Sequence, residues 1–113
     1  MNRYGTGEKG EVIAKNYLYD AGYKILEENL RYKGTGEIDL VAMEGADLVF
    51  VEVKTRVNYE FGEPLESVTL HKQRCIQRCA ERYISERDIS FQNVRFDVII
   101  VFNDSVEHYK EAF

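Results

Sequence analysis

The sequence predicts an α/β domain in which a mixed central β-sheet is flanked by helices, with elements in the order αβββαββ. Three observations predict it. Two segments carry apolar residues at helical spacing, and shorter runs between them carry the β-branched and aromatic residues of strands. Turn residues separate the first three strands closely, as hairpins require. The second helix falls between the third and fourth strands, which permits a parallel crossover and so a sheet of mixed sense.

A first helix is expected over about residues 6–21, where Val12, Ala14, Tyr17, Leu18 and Ala21 recur at helical spacing. Gly22 is a natural stop, because glycine reaches the left-handed backbone that closes a helix. Residues 23–28 read as the first strand, and Gly34 and Gly36 then turn the chain. Residues 37–43 and 48–55 form a central hairpin about Glu44-Gly45-Ala46-Asp47. A loop over 57–64 carries the only proline. The second helix spans about 69–87, with Thr69 or Ser67 as its cap. Residues 94–102 are strongly apolar and are expected to be central, and 106–110 form a short strand at an edge.

The 113 residues suit one domain, able to bury roughly two-thirds of the unfolded surface. The 44% apolar and 31% charged composition is that of an ordinary globule. No apolar run approaches the ~20 residues that span a bilayer, and Met1-Asn2-Arg3-Tyr4-Gly5 lacks the apolar core of a signal peptide. A cytoplasmic protein with no membrane association is the expectation. The net charge of −5 weighs mildly against nucleic-acid binding. Acidic residues at a metal site are neutralised by the metal, however, so distribution matters more than the sum.

The chemistry concentrates in two apolar runs interrupted by charge: Gly36-Glu37-Ile38-Asp39-Leu40-Val41-Ala42 and Val49-Phe50-Val51-Glu52-Val53-Lys54-Thr55-Arg56. A charge in a buried strand costs several kcal/mol unless it is paired or holds a metal. The 12 residues between Asp39 and Glu52 let one strand finish, turn and return, bringing both carboxylates to one edge. Glu52 and Lys54 are two apart and share a face. Two carboxylates and a lysine can bind a hard divalent cation and activate water. The structural alternative is an ion pair of the acids with Lys54 or Arg56. Mg²⁺ (or Mn²⁺) keeps several waters, so Asp39, Glu52 and the Val53 carbonyl would suffice as ligands. Lys54 could orient that water or simply balance the charge of the two acids.

On a helical wheel Glu11 shares the core-facing stripe of Ala14 and Leu18, while Glu8 lies nearer solvent. A glutamate there needs a partner: either the acidic cluster or Lys15 four residues on. Glu37 shares a face with Asp39 if the strand is regular. It could bind a second metal, contact Lys72 or simply end the hairpin. Arg74, Arg78 and Arg82 recur every fourth residue, opposite Ile76, Ala80, Tyr83 and Ile84. That ridge could track phosphates or be a solvated face. Lys72 projects nearer the core, toward Cys79 and Tyr83. Arg56, Tyr59 and Phe61 could hold a phosphate and stack a base, or pack beneath the loop. His71, Cys75 and Cys79 form a stripe that could ligate zinc, but structural zinc takes four ligands, and reduced thiols are the plainer reading. Arg95 and Asp97 alternate in a buried strand and read as structural partners.

The Asp39…Glu52-Val53-Lys54 pattern resembles the PD-(D/E)xK nuclease superfamily, with Ile38 where a proline often precedes the Asp. A wider set falls in order along the chain: Gly10-Glu11, Gly22-Tyr23, Asn29-Leu30-Arg31, Gly36-Glu37-Ile38-Asp39-Leu40, Phe50-Val51-Glu52-Val53-Lys54-Thr55-Arg56, Phe61-Gly62, Lys72 and Arg95-Phe96-Asp97. Together these resemble the YraN family of small bacterial proteins, whose fold is similar to archaeal Holliday junction resolvases. The resemblance implies a restriction-endonuclease-like fold and a metal-dependent endonuclease with catalytic Glu11, Asp39, Glu52 and Lys54. Lys72 matches a family lysine and would neighbour that site, with Arg56, Arg74 and Arg78 as further DNA contacts. It implies branched or partly single-stranded DNA as substrate, and a homodimer, since a junction offers two symmetric strands. A nuclease-fold module that binds without cutting is the alternative.

Overall fold

The computed structural model describes residues 6–56 and 68–113, with side chains from residue 9 onward. The elements follow the expected order: α1 (Thr6–Asp20), β1 (Lys24–Tyr32), β2 (Gly36–Glu44), β3 (Asp47–Arg56), α2 (Leu70–Glu86), β4 (Asn93–Phe102) and β5 (Ser105–Tyr109). Expectations for the loop over 57–64 and for Ser67 lie outside the described residues. The Thr69 side chain caps α2 by accepting from the Lys72 N–H at 3.1 Å. Helix α1 closes as its sequence suggests: Gly22 adopts φ 92°, and the Tyr23 N–H donates to the Leu18 carbonyl.

The five strands stand in space in sequence order. Three neighbouring pairs are antiparallel, and β3 and β4 run parallel from Asp47↔Asn93 to Arg56↔Phe102 with α2 as the crossover. Strand β4 is interior, as its apolar run suggests, but β3 takes the middle of the sheet. Strand β1 continues beyond the expected residue 28 to Tyr32, because Leu30, Arg31 and Tyr32 pair with Ile38, Glu37 and Gly36. Cross-strand pairing overrides the polar character of that stretch.

Each helix covers one face. On one side Ala14 and Leu18 pack with Leu40, Ala42, Val49, Val51, Ile99 and Val101. On the other, Ile76, Cys79, Ala80 and Tyr83 pack with Ile38, Val41, Leu48 and Phe50. Burial on both faces explains the near-continuous apolar runs of β3 and β4. The exceptions, Glu52, Arg95 and Asp97, are the buried charged residues among those described. Helix α1 lies close to β3: a Cβ on Gly10 would collide with Thr55 Oγ1. Glycine permits that approach with no displacement of Thr55.

Candidate active site at the parted β2–β3 edge

Strands β2 and β3 pair from Glu44↔Asp47 to Leu40↔Val51, where their ladder ends. Beyond that point β2 continues only beside β1, and β3 beside β4. Asp39 stands where they part. Its Oδ2 accepts from the Val53 backbone N–H at 2.7 Å, so a side chain takes the place of the next ladder bond. The alternation of β2 also breaks here: Ile38 packs on the α2 side and Leu40 on the α1 side. Across from Asp39 on β1, Asn29 has φ 52°, a left-handed conformation that Asn tolerates better than most residues.

Asp39 neighbours two other carboxyl groups, Glu52 on β3 and Glu11 on α1. Burial and the adjacent Asp39 charge push Glu52 up to about 7, although Lys72 and Lys54 oppose the rise. Burial also raises Asp39, against the Val53 N–H bond that favours its ionised form. Glu52 is 4% exposed and its Oε2 lies 3.4 Å from Lys54 Nζ and 3.3 Å from Lys72 Nζ. Burial works against the Lys72 charge, but the Glu52 carboxylate outweighs it and raises Lys72 overall. Asp39 therefore stands between Glu11, with which it lines a cavity on the α1 side, and Glu52, which Lys54 and Lys72 flank on the α2 side.

A small cavity of about 130 Å³ opens at Asp39 between α1 and β1, lined by Glu11, Lys15, Glu28 and Asn29 among others. Lys15 pairs there with Glu28 at 3.3 Å. The Val53 carbonyl points to the same side of β3 as its N–H, as in any extended strand, and so toward the parted edge. Among the described residues no group of three or more His, Cys, Asp or Glu side chains forms a ready ligand cage. The donors present are hard oxygens in mutual repulsion. They fit a cation that keeps most of its own waters, such as Mg²⁺, and do not fit an all-protein cage.

The remaining site expectations divide. Arg56 ends β3 half-buried, opposite Phe102, at an even position like Glu52 and Lys54. Tyr59 and Phe61 lie outside the described residues. The arginine ridge of α2 is split. Arg78 lines a cavity with Lys72, Arg82 pairs with Glu86 and covers the Tyr32 ring at 4.4 Å, and Arg74 is exposed on neither. Glu37 is not grouped with Asp39, because the alternation breaks between them. It pairs with Arg31 at 2.9 Å across β1 and β2. His71 Nε2 and Cys75 Sγ are 3.6 Å apart with Cys79 buried below, and both cysteines are free thiols.

A second polar network was only half legible. Arg95 and Asp97 satisfy each other at 2.9 and 3.0 Å, as read from the sequence. Unforeseen are His108, whose Nε2 lies 2.6 Å from Asp97 Oδ2, and Tyr17, whose hydroxyl lies 3.0 Å from His108 Nδ1. Arg95 further donates to Glu44, Asp47 and Tyr23. Hydrogen bonds to Asp97 raise Arg95, and those that Asp97 accepts from His108 and Arg95 hold it below the usual range despite its burial. The available signal was the inward parity of His108 with Val106 on β5.

Comparison with known proteins gives a family. The model of the uncharacterised protein family UPF0102 matches residues 10–101. A UPF0102 protein of Caldanaerobacter subterraneus is 46% identical over 100% of this chain and 98% of its own length. One from Clostridioides difficile is 43% identical over 100% of both chains. One from Rhodococcus opacus is 42% identical over 95% of this chain and 94% of its own.

Proposed function

This chain belongs to the uncharacterised protein family UPF0102, and we propose that it is a metal-dependent endonuclease of the PD-(D/E)xK type, hydrolysing DNA phosphodiesters. One observation carries the reading: at a parted strand edge Asp39 is bonded to the Val53 N–H and so stands beside Glu52, whose carboxylate Lys54 also meets. Forcing two carboxyls together in a half-buried place is costly without a cation, and a divalent ion removes the repulsion. When bound, Mg²⁺ or Mn²⁺ supplies Lewis-acid polarisation and a more acidic water. The residues do the rest. Asp39 and Glu52, with the Val53 carbonyl, hold the ion. Lys54 orients the attacking water and stabilises charge on the phosphate. Glu11, which lines a cavity with Asp39, completes the site.

The substrate follows from the resemblance to junction resolvases: branched or partly single-stranded DNA, met by a homodimer. The free thiols Cys75 and Cys79 suit the reducing cytoplasm. No helix among the described residues is long and apolar enough to cross a membrane. A second reading, a DNA-binding module that does not cut, is favoured by the two lysines that already compensate Glu52.

Cleavage of labelled branched and single-stranded DNA with Mn²⁺ tests the proposal. Wild type should cut, and Asp39→Asn and Lys54→Ala should not, while still binding. Binding without cleavage by the wild type under any divalent ion would favour the second reading.

A further inference from the structure

We propose that the groove between the β1–β2 turn and α2 is a binding site for a single nucleic-acid strand, leading to the acidic cluster. It deepens the nuclease reading and rests on it for the role of its inner end. The cavity there measures about 620 Å³. That falls in the range of small-ligand sites, roughly 300–1,000 Å³, with room for a nucleotide or so but not for a duplex. Its walls bring together four cations in a chain of net charge −5: Arg31 on β1, Lys33 in the turn, and Lys72 and Arg78 on α2. A single carboxylate, Glu37, shares the lining and is already engaged by Arg31. Among the described residues Lys33 and Arg78 have no ion-pair partner, so their charges face the cavity unspent.

Two features make the groove more than a charged patch. Lys72 lines it while its Nζ lies 3.3 Å from Glu52, so the cavity and the acidic cluster share a wall. The walls are also fixed to each other: the backbone of Gly36 packs against Cys75 and Cys79 of α2, where a Cβ would stand 3.3 Å from Cys75 Cβ. Four cations lining one groove suit the repeating charge of a phosphodiester backbone, which supplies most non-specific affinity.

The test is binding in EDTA, where no metal-dependent cleavage occurs. Fluorescence anisotropy would compare a labelled oligothymidylate with a blunt duplex of equal length. Wild type should prefer the single strand by about tenfold. Arg31→Ala/Arg78→Ala should lose about tenfold in affinity, and its salt slope should fall by about 1.4, at ~0.7 per phosphate contact on single strands. Lys33→Glu, in an exposed turn, gives the same loss with little risk to the fold. Glu37→Gln should tighten binding. Equal affinity for duplex and single strand, or groove variants with unchanged affinity and salt slope, would overturn the assignment. The two readings fail separately. Single-strand binding lost in the groove variants, with no cleavage under any ion, keeps the groove and removes the nuclease. Mn²⁺-dependent cleavage with unaltered KM in those variants keeps the nuclease and removes the groove.

Discussion

Replacing Glu52 by Gln should stabilise the metal-free protein at alkaline pH. Glu52 rises from 4.5 to about 7 on folding, through burial and the adjacent Asp39. A carboxyl raised in the folded state contributes stability that is fully present below about 4.5 and is lost as pH climbs through about 7. At 1.36 kcal/mol per pH unit, the loss is about 3 kcal/mol. Gln mimics the protonated acid at nearly equal volume, so it avoids the loss. Lys54 and Lys72 forfeit an attraction, but they are 28% and 37% exposed, and water recovers much of it. The net expectation is a gain of ~1–3 kcal/mol at pH 8, vanishing near pH 5. Urea denaturation in EDTA at both pH values measures it. Mn²⁺ should close or reverse the difference, since a ligand at 100 times its Kd adds about 2.7 kcal/mol to wild type and much less to the variant. If Glu52→Gln is instead the weaker protein at pH 8 in EDTA, the carboxylate is an ionised anchor for the two lysines. The repulsion argument, and the metal site built on it, would then fail.

Asp39→Asn keeps an oxygen to accept from the Val53 N–H, so metal-free stability should hold within ~1 kcal/mol while the Mn²⁺-induced rise in Tm disappears; a surviving rise would take Asp39 out of the ligand set. Asp97→Ala strands the buried Arg95 and His108 and should cost about 3–5 kcal/mol in urea denaturation at pH 7, a near-neutral result counting against that network. The Asp97 contribution runs opposite in pH to that of Glu52: its lowered carboxyl stabilises above the ordinary value of 3.8 and loses that effect as acid protonates it. Gly10→Ala should destabilise by ~1–3 kcal/mol despite the better helix propensity of Ala, because its Cβ meets Thr55 Oγ1. Thr55→Ala should rescue it in a double-mutant cycle, and simple additivity would contradict the close approach.

Much of the site was legible because buried charge is conspicuous in an apolar run. Asp39, Glu52 and Lys54 stood out by type and spacing, and Glu11 and Lys72 by their side of a helix. What misled was regularity. Period-two reasoning put Glu37 beside Asp39, but β2 changes face between Ile38 and Leu40. Asn29 gave no hint of its positive φ, since Asn is ordinary in many backbones. The α2 arginines looked like one ridge at helical spacing, yet neighbours outside the helix assign Arg78 to a groove and Arg82 to Glu86 and Tyr32.

The sequence by itself determined the elements, their order and the mixed sense of the sheet, since these follow from periodicity, turn residues and the length of a crossover, which are local. It also determined which charged residues needed partners. Tertiary structure decided who the partners are. Where β2 parts from β3, each strand stays paired on its far side, β2 with the adjacent β1 and β3 with the sequence-distant β4. Asp39 bonds Val53 where that parting leaves an N–H uncovered. The sharing of Glu52 by Lys54 and Lys72, and the joining of Arg95 and Asp97 to His108 and Tyr17, depend on distances set by packing. Electrostatic energies in a poorly solvated interior change steeply with those distances, and no pattern along the chain encodes them.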